Sequence, residues 1–102
     1  SNEFAAVESG KPPAEPFLSP AYPNPFNATT RFTLTLTETT PNLRVVVYNV
    51  EGREVLTLSE STMSAGTHQF TLSADQLASG VYFVHVYATG QLDEVRKLAL
   101  VR

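Results

Sequence analysis

The sequence contains no cysteine. That removes disulfides and thiolate metal sites, and leaves a packed core as the source of stability. Histidine is nearly as scarce, with only His68 and His85. Nucleophilic catalysis needs a nucleophile, a base and an orienting group within hydrogen-bond reach. A structural metal site needs three or four ligands. Two histidines inside strand-like stretches, able at most to pair across adjacent strands, supply neither. The acids are scattered over turns and form no Asp-x-Asp-x-Asp calcium loop. The five glycines stand singly, so no glycine-rich phosphate loop exists. Lysine and arginine form no run and the net charge is −3, which gives no basic field for nucleic acid. No apolar run approaches the ~18 residues of a membrane-spanning helix. No catalytic residue, metal, cofactor or nucleic-acid partner is therefore expected.

A chain of 102 residues provides one domain with a two-layer core and no room for a large buried pocket. No signal peptide opens it, so it reads as a piece of a longer protein. Residues 1–15 have a linker composition, with Pro12-Pro13 removing backbone donors. They are expected to be an interdomain tail, and Phe4 to Glu15 to be open to a protease. Residues 16–102 are expected to be the folded domain.

Within it the patterning is that of short strands. Phe17-Leu18 suits a short edge strand. Tyr22-Pro23-Asn24-Pro25-Phe26-Asn27 is a stiff corner, since each proline fixes its own φ and restricts the residue before it. Asn27 is expected to close it by a side-chain bond, and the Tyr22 and Phe26 rings to cap one end of the core. From Thr29 to Thr37 the sequence alternates, Phe32, Leu34 and Leu36 against Arg31 and threonines, which is the period of a half-buried strand. Glu38 to Asn42 is read as a turn, Leu43 to Val50 as a strand, and Asn49 to Arg53 as a hairpin loop with Gly52 at positive φ. Glu54 to Leu58 returns as a short strand, and Ser59 to Met63 is read as loop. Gly66 turns into the alternating His68, Phe70 and Leu72. Ser73 to Gln76 fits a capping box for one helical turn, with Leu77 entering the core and Gly80 as its cap. The last two strands, joined at Thr89-Gly90, place Tyr82, Val84 and Val86 on one face, then Leu98 and Leu100.

About seven strands with turn signals roughly every ten residues predict an all-β fold, an immunoglobulin-like antiparallel β-sandwich. Its expected core is Phe32, Leu34, Leu36, Val45, Val47, Phe70, Leu72, Leu77, Tyr82, Val84, Leu98 and Leu100. Tyr82, just after a corner glycine, is expected to anchor that corner through its hydroxyl. The final strand has a second expected role. With Leu98 and Leu100 inward, Lys97, Ala99, Val101 and the charged Arg102 are presented at an edge that can add to a partner's sheet.

Two stretches together carry a family resemblance: Tyr22-Pro23-Asn24-Pro25-Phe26-Asn27, and Leu77-Ala78-Ser79-Gly80-Val81-Tyr82-Phe83-Val84. Between them Val47-Tyr48-Asn49, Gly52-Arg53-Glu54-Val55 and Ala65-Gly66-Thr67-His68 fall in the same order, and Lys97-Leu98-Ala99-Leu100-Val101-Arg102 closes the set. The chain resembles the type A C-terminal sorting domains of the type IX (Por) secretion system of Bacteroidetes and related bacteria, over residues 17 to 102. The resemblance implies a non-catalytic sandwich fused behind a cargo protein and read by outer-membrane secretion machinery. It implies passage through the periplasm, cleavage by a sortase-like protease, and cargo that is secreted, attached at the cell surface or released. On this reading Lys97 to Arg102 are the recognised residues. Tyr22 to Asn27, Gly52, Gly66, Gly80 and Tyr82 are the structural motif. Two other families compete. The immunoglobulin-like domain of flagellar hook-capping proteins shares the proline corner but usually carries Trp-Asp-Gly, and this chain has no tryptophan. A carbohydrate-binding sandwich would need an exposed aromatic row, for which Tyr48, Phe83 and Tyr87 are the candidates.

Overall fold

A computed structural model describes residues 15–102. The expected linker tail, residues 1–15, and the stretch expected to be open to a protease lie outside the described residues, apart from Glu15. Seven strands follow in order: β1 (Phe17–Leu18), β2 (Thr29–Leu36), β3 (Thr40–Asn49), β4 (Glu54–Met63), β5 (Gly66–Ser73), β6 (Gly80–Ala88) and β7 (Leu92–Leu100). They form a three-stranded sheet, β1-β2-β5, and a four-stranded sheet, β4-β3-β6-β7. All strand pairs are antiparallel. The chain crosses between sheets from β2 to β3, β4 to β5 and β5 to β6, as in an immunoglobulin-like sandwich.

The core is the inward half of each alternating strand. Every expected core residue is buried, joined by Leu18, Phe26, Leu43, Val86 and Ala88. Phe32 and Phe70 are direct cross-strand partners, with rings stacked at 5.5 Å between centroids. Such pairs add to simple area burial. Val46, on the outward side of β3, is also buried, at 1% exposure. Its cross-strand partners are Thr57 and His85.

Four local expectations are corrected. Ser59 to Met63 is not loop: β4 runs through it, with Glu60 opposite Arg44 and Ser61 opposite Leu43. The segment lacks apolar alternation because this end of the edge strand β4 sets polar Ser59 and Ser61 opposite the buried Val45 and Leu43. The register shifts between Val45/Val46 and Val47/Tyr48 fall in the Glu54–Leu58 half, where each bulge resets which side chains face in. Thr40 to Asn42 likewise belongs to β3, with Asn42 at φ 53 where the register breaks. Asparagine tolerates that left-handed conformation. Ser73 to Gln76 makes no helical turn. The Leu77 N–H donates to Ala74 O at 3.0 Å, closing a tight turn, and Gly80 simply starts β6. Finally, His68 and His85 lie in different sheets and do not pair. His68 Nε2 is 2.8 Å from Ser64 O, and His85 Nε2 is 2.5 Å from Asp93 Oδ1.

Candidate recognition surface

β7 is an edge strand, and so is β1 in the other sheet. They flank the same open side of the sandwich, and the proline corner closes it. After β1 the chain continues along β2: Ser19 N–H donates to Thr33 O at 3.0 Å, and Tyr22 and Arg31 exchange backbone bonds of 2.9 and 3.1 Å. It then changes sheets. Phe26 forms a parallel bridge with Leu100, its N–H donating to Ala99 O at 2.9 Å and its carbonyl accepting from Val101 N–H at 2.9 Å. Corners in sandwiches are made by such sheet-switching segments. Prolines suit the switch because the residues between Tyr22 and Phe26 have no ladder in which a missing N–H would matter.

Asn24 completes the pairing. Its Nδ2 donates to Lys97 O at 2.9 Å and its Oδ1 accepts from Ala99 N–H at 3.0 Å. The side-chain amide thus stands where the peptide group of a neighbouring strand would stand. The amide that ties the corner is that of Asn24, not Asn27 as expected. Thr30, 1% exposed, satisfies its hydroxyl on Pro23 O at 2.7 Å, fixing the corner from beneath. Phe26 enters the core, but the Tyr22 ring does not cap it, being 78% exposed.

These contacts change the reading of the final strand. Leu98 and Leu100 are buried, and Lys97 and Val101 exposed, as expected. The outward main-chain groups are not free, however: Lys97 O, both groups of Ala99 and Val101 N–H are already bonded to the corner. A partner strand can add there only by displacing it. Arg102 is also engaged. Its Nη1 donates to Ala74 O at 2.5 Å and Leu77 O at 2.8 Å, and its N–H donates to Ser79 Oγ at 3.0 Å. The guanidinium therefore clasps the β5–β6 turn. Upstream, Arg96 reaches across the open side to Leu18 O at 2.7 Å and pairs with Glu94 at 2.8 Å.

The motif residues sit at structural joints. Gly52, at φ +80, lies in the β3–β4 turn. Asn49 closes that turn, its Oδ1 accepting from Glu51 and Arg53 N–H at 2.9 and 3.0 Å. Gly66 and Gly80 begin β5 and β6. The Tyr82 hydroxyl donates to Ala78 O at 2.6 Å, which is the expected tyrosine anchor. At the other end of the sandwich Gln91 holds the β2–β3 connection. Its Oε1 accepts from Thr37 N–H at 2.8 Å, and its Nε2 bonds Glu38 O and the Thr40 hydroxyl. Neither Gln91 nor Arg96 carries any signal in the sequence. Asn24 had one: an amide held between two prolines points in few directions.

Two shallow grooves flank these joints. One, of about 360 Å³, lies between Pro23, Pro25, Phe26, Asn27 and Val101. The other, of about 340 Å³, lies on the outer face of the four-stranded sheet, with Tyr48, Phe83, His85 and Val95 on its walls. Tyr48 and Phe83 are cross-strand partners there, but His85 separates Phe83 from Tyr87, so the three candidate aromatics form no continuous row. Among the described residues no three His, Asp or Glu side chains gather as a metal would require.

With the geometry in place, comparison with known proteins adds one match. Residues 20–101 fit the family described as the secretion system C-terminal sorting domain. No curated protein and no solved structure matches the chain.

Proposed function

The chain belongs to the family of type IX secretion C-terminal sorting domains, and from that premise we propose that residues 16–102 escort a preceding cargo through the periplasm to outer-membrane machinery that reads Lys97 to Arg102. Membership makes the domain a sorting signal, implies a cargo fused ahead of it, and implies export to the cell surface or beyond. The finer steps are the proposal. A sortase-like protease cuts within Phe4 to Glu15, the domain is removed, and the cargo is attached at the surface or released. The domain contributes no catalysis, only a folded shape.

One observation carries this reading: the family match, residues 20–101, coincides with the sandwich from the start of the corner to the residue after β7. The test is a reporter fused ahead of the 102-residue chain in a bacterium with a type IX system. Export of the reporter that requires the chain, followed by loss of a fragment of about the size of residues 16–102 from the mature product, is the expected result. Retention of the reporter inside the cell refutes the sorting role. Export without cleavage refutes only the processing step.

A further inference from the structure

The outer face of the four-stranded sheet is apolar at its middle. Tyr48, Phe83 and Lys97 stand in register across it, and the next row is Val46, His85 and Val95. Tyr48, Phe83, His85 and Val95 wall the groove of about 340 Å³, and Val50 closes its end from the β3–β4 turn. Val50 and Val95 are 68% and 55% exposed, so no described element covers them. An apolar patch of this kind marks a contact site.

The charges around the groove are uneven. Arg44 pairs with Glu54 and Glu60, and His85 with Asp93. Glu51 and Arg53 balance each other on the turn. Lys97, exposed at the β7 end, has no acidic partner among the described residues. The groove is thus an apolar trough that begins at a cation.

Its complement is in the chain itself. In residues 1–15 the one apolar run is Phe4-Ala5-Ala6-Val7, bounded by Glu3 and Glu8. Ser9 to Glu15 then forms a polar spacer that contains Pro12-Pro13. The spacer is long enough. From Glu15 back to Glu8 it spans about 22 Å at the ~3.1 Å per residue of a proline-rich extended chain. Glu15 stands three residues, about 10 Å, before Leu18. Arg96 of β7 reaches Leu18 O at 2.7 Å, so the two strands are one side chain apart.

The dimensions agree as well. Phe4 to Val7, extended, covers three steps of ~3.4 Å, and β7 to β3 is two strand spacings of ~4.8 Å, about 10 Å in each case. With Glu8 over Lys97, Val7 falls on Val95 and Phe4 on Tyr48 and Val50. A tether this short holds the segment at about millimolar effective concentration, so a weak apolar contact with one charge pair suffices.

We propose that Phe4 to Val7 dock in this groove, with Glu8 against Lys97, and hold the chain ahead of the domain on the outer face of the four-stranded sheet. The inference goes beyond the sorting reading. Where the two meet, docking narrows the span open to a protease to residues 8–15.

Because the chain has no cysteine, Ser1→Cys of the full chain carries a single spin label. Loss of the Val50, His85 and Val95 amide peaks in its NMR spectrum is expected. Thr33 and Thr71, on the outer face of the other sheet, should keep theirs. Phe4→Ser with Val7→Ser, and separately Val50→Ser with Val95→Ser, should restore the lost peaks, and unchanged peaks elsewhere show that each variant is folded. Equal weakening of both faces, or of neither, overturns the docking. Peak loss in an unlabelled-thiol, isotope-enriched wild-type chain mixed with the spin-labelled one makes the occupant a second copy and overturns the assignment to the chain's own segment. A broad-specificity protease should cut the wild-type chain first within residues 8–15, and first cuts within residues 4–7 refute the inference. These measurements use the purified chain, so a reporter that fails to leave the cell refutes the sorting role and leaves the docking standing.

Discussion

Replacing Asn24 by alanine removes two hydrogen bonds at once, Nδ2 to Lys97 O at 2.9 Å and Ala99 N–H to Oδ1 at 3.0 Å. Both lie at the surface, so the two peptide groups they release regain water instead of being stranded. The cost is then the net worth of two exposed bonds, about 1–2 kcal/mol in total. For a domain of this size each kcal/mol moves the thermal midpoint by roughly 4–8 °C, so a fall of about 4–16 °C is expected. Asn24→Asp keeps the acceptor for Ala99 but sets a carboxylate oxygen against the Lys97 carbonyl, and should be destabilised at least as much as the alanine variant. Asn27→Ala should be nearly neutral. Thermal and urea denaturation of the three variants gives the midpoints, and amide exchange at Ala99 reports the released N–H directly. The reasoning fails if Asn24→Ala melts with the wild type, or if Asn27→Ala costs as much.

Three further outcomes are expected. Tyr82→Phe deletes the hydroxyl bond to Ala78 O and should cost about 1 kcal/mol in urea denaturation with no change in circular dichroism. Arg102→Ala should cost roughly 1–3 kcal/mol by freeing the Ala74 and Leu77 carbonyls; partial proteolysis should then begin cutting in residues 74–79, and Arg102→Lys should recover only part of the loss. Leu34→Ala, at a fully buried position between the sheets, should cost roughly 2–5 kcal/mol, enough to unfold much of a marginally stable domain at 37 °C.

The strands whose pairing is regular were legible. β2, β5, β6 and the inward half of β7 alternate, and their core residues followed from that alternation alone. β4 was not, because its bulges break the period and its polar end is held by register with β3 rather than by burial. The tight turn at Ala74 to Leu77 resembled a helix start because a serine side chain can cap either; Ser73 Oγ accepts from Asp75 N–H at 3.4 Å without a helix following. At the candidate recognition surface the inward and outward residues of β7 were readable, and so was the stiffness of the corner. Their meeting was not. Asn24 and Ala99 lie 75 positions apart, and no local pattern encodes a side-chain amide that stands in for a strand.

That same separation has a kinetic consequence. The sandwich cannot shut its open side until Phe26 has Leu100 to bridge to and Asn24 has Lys97 and Ala99 to hold. Folds dominated by pairings so distant in sequence typically mature in milliseconds to seconds, since loop closure must precede the contacts that reward it. During synthesis the corner emerges early and waits, with its amide and the Phe26 main chain unpaired, while everything ahead of it is already free to fold. A cargo positioned there would be free to fold before the domain behind it locks.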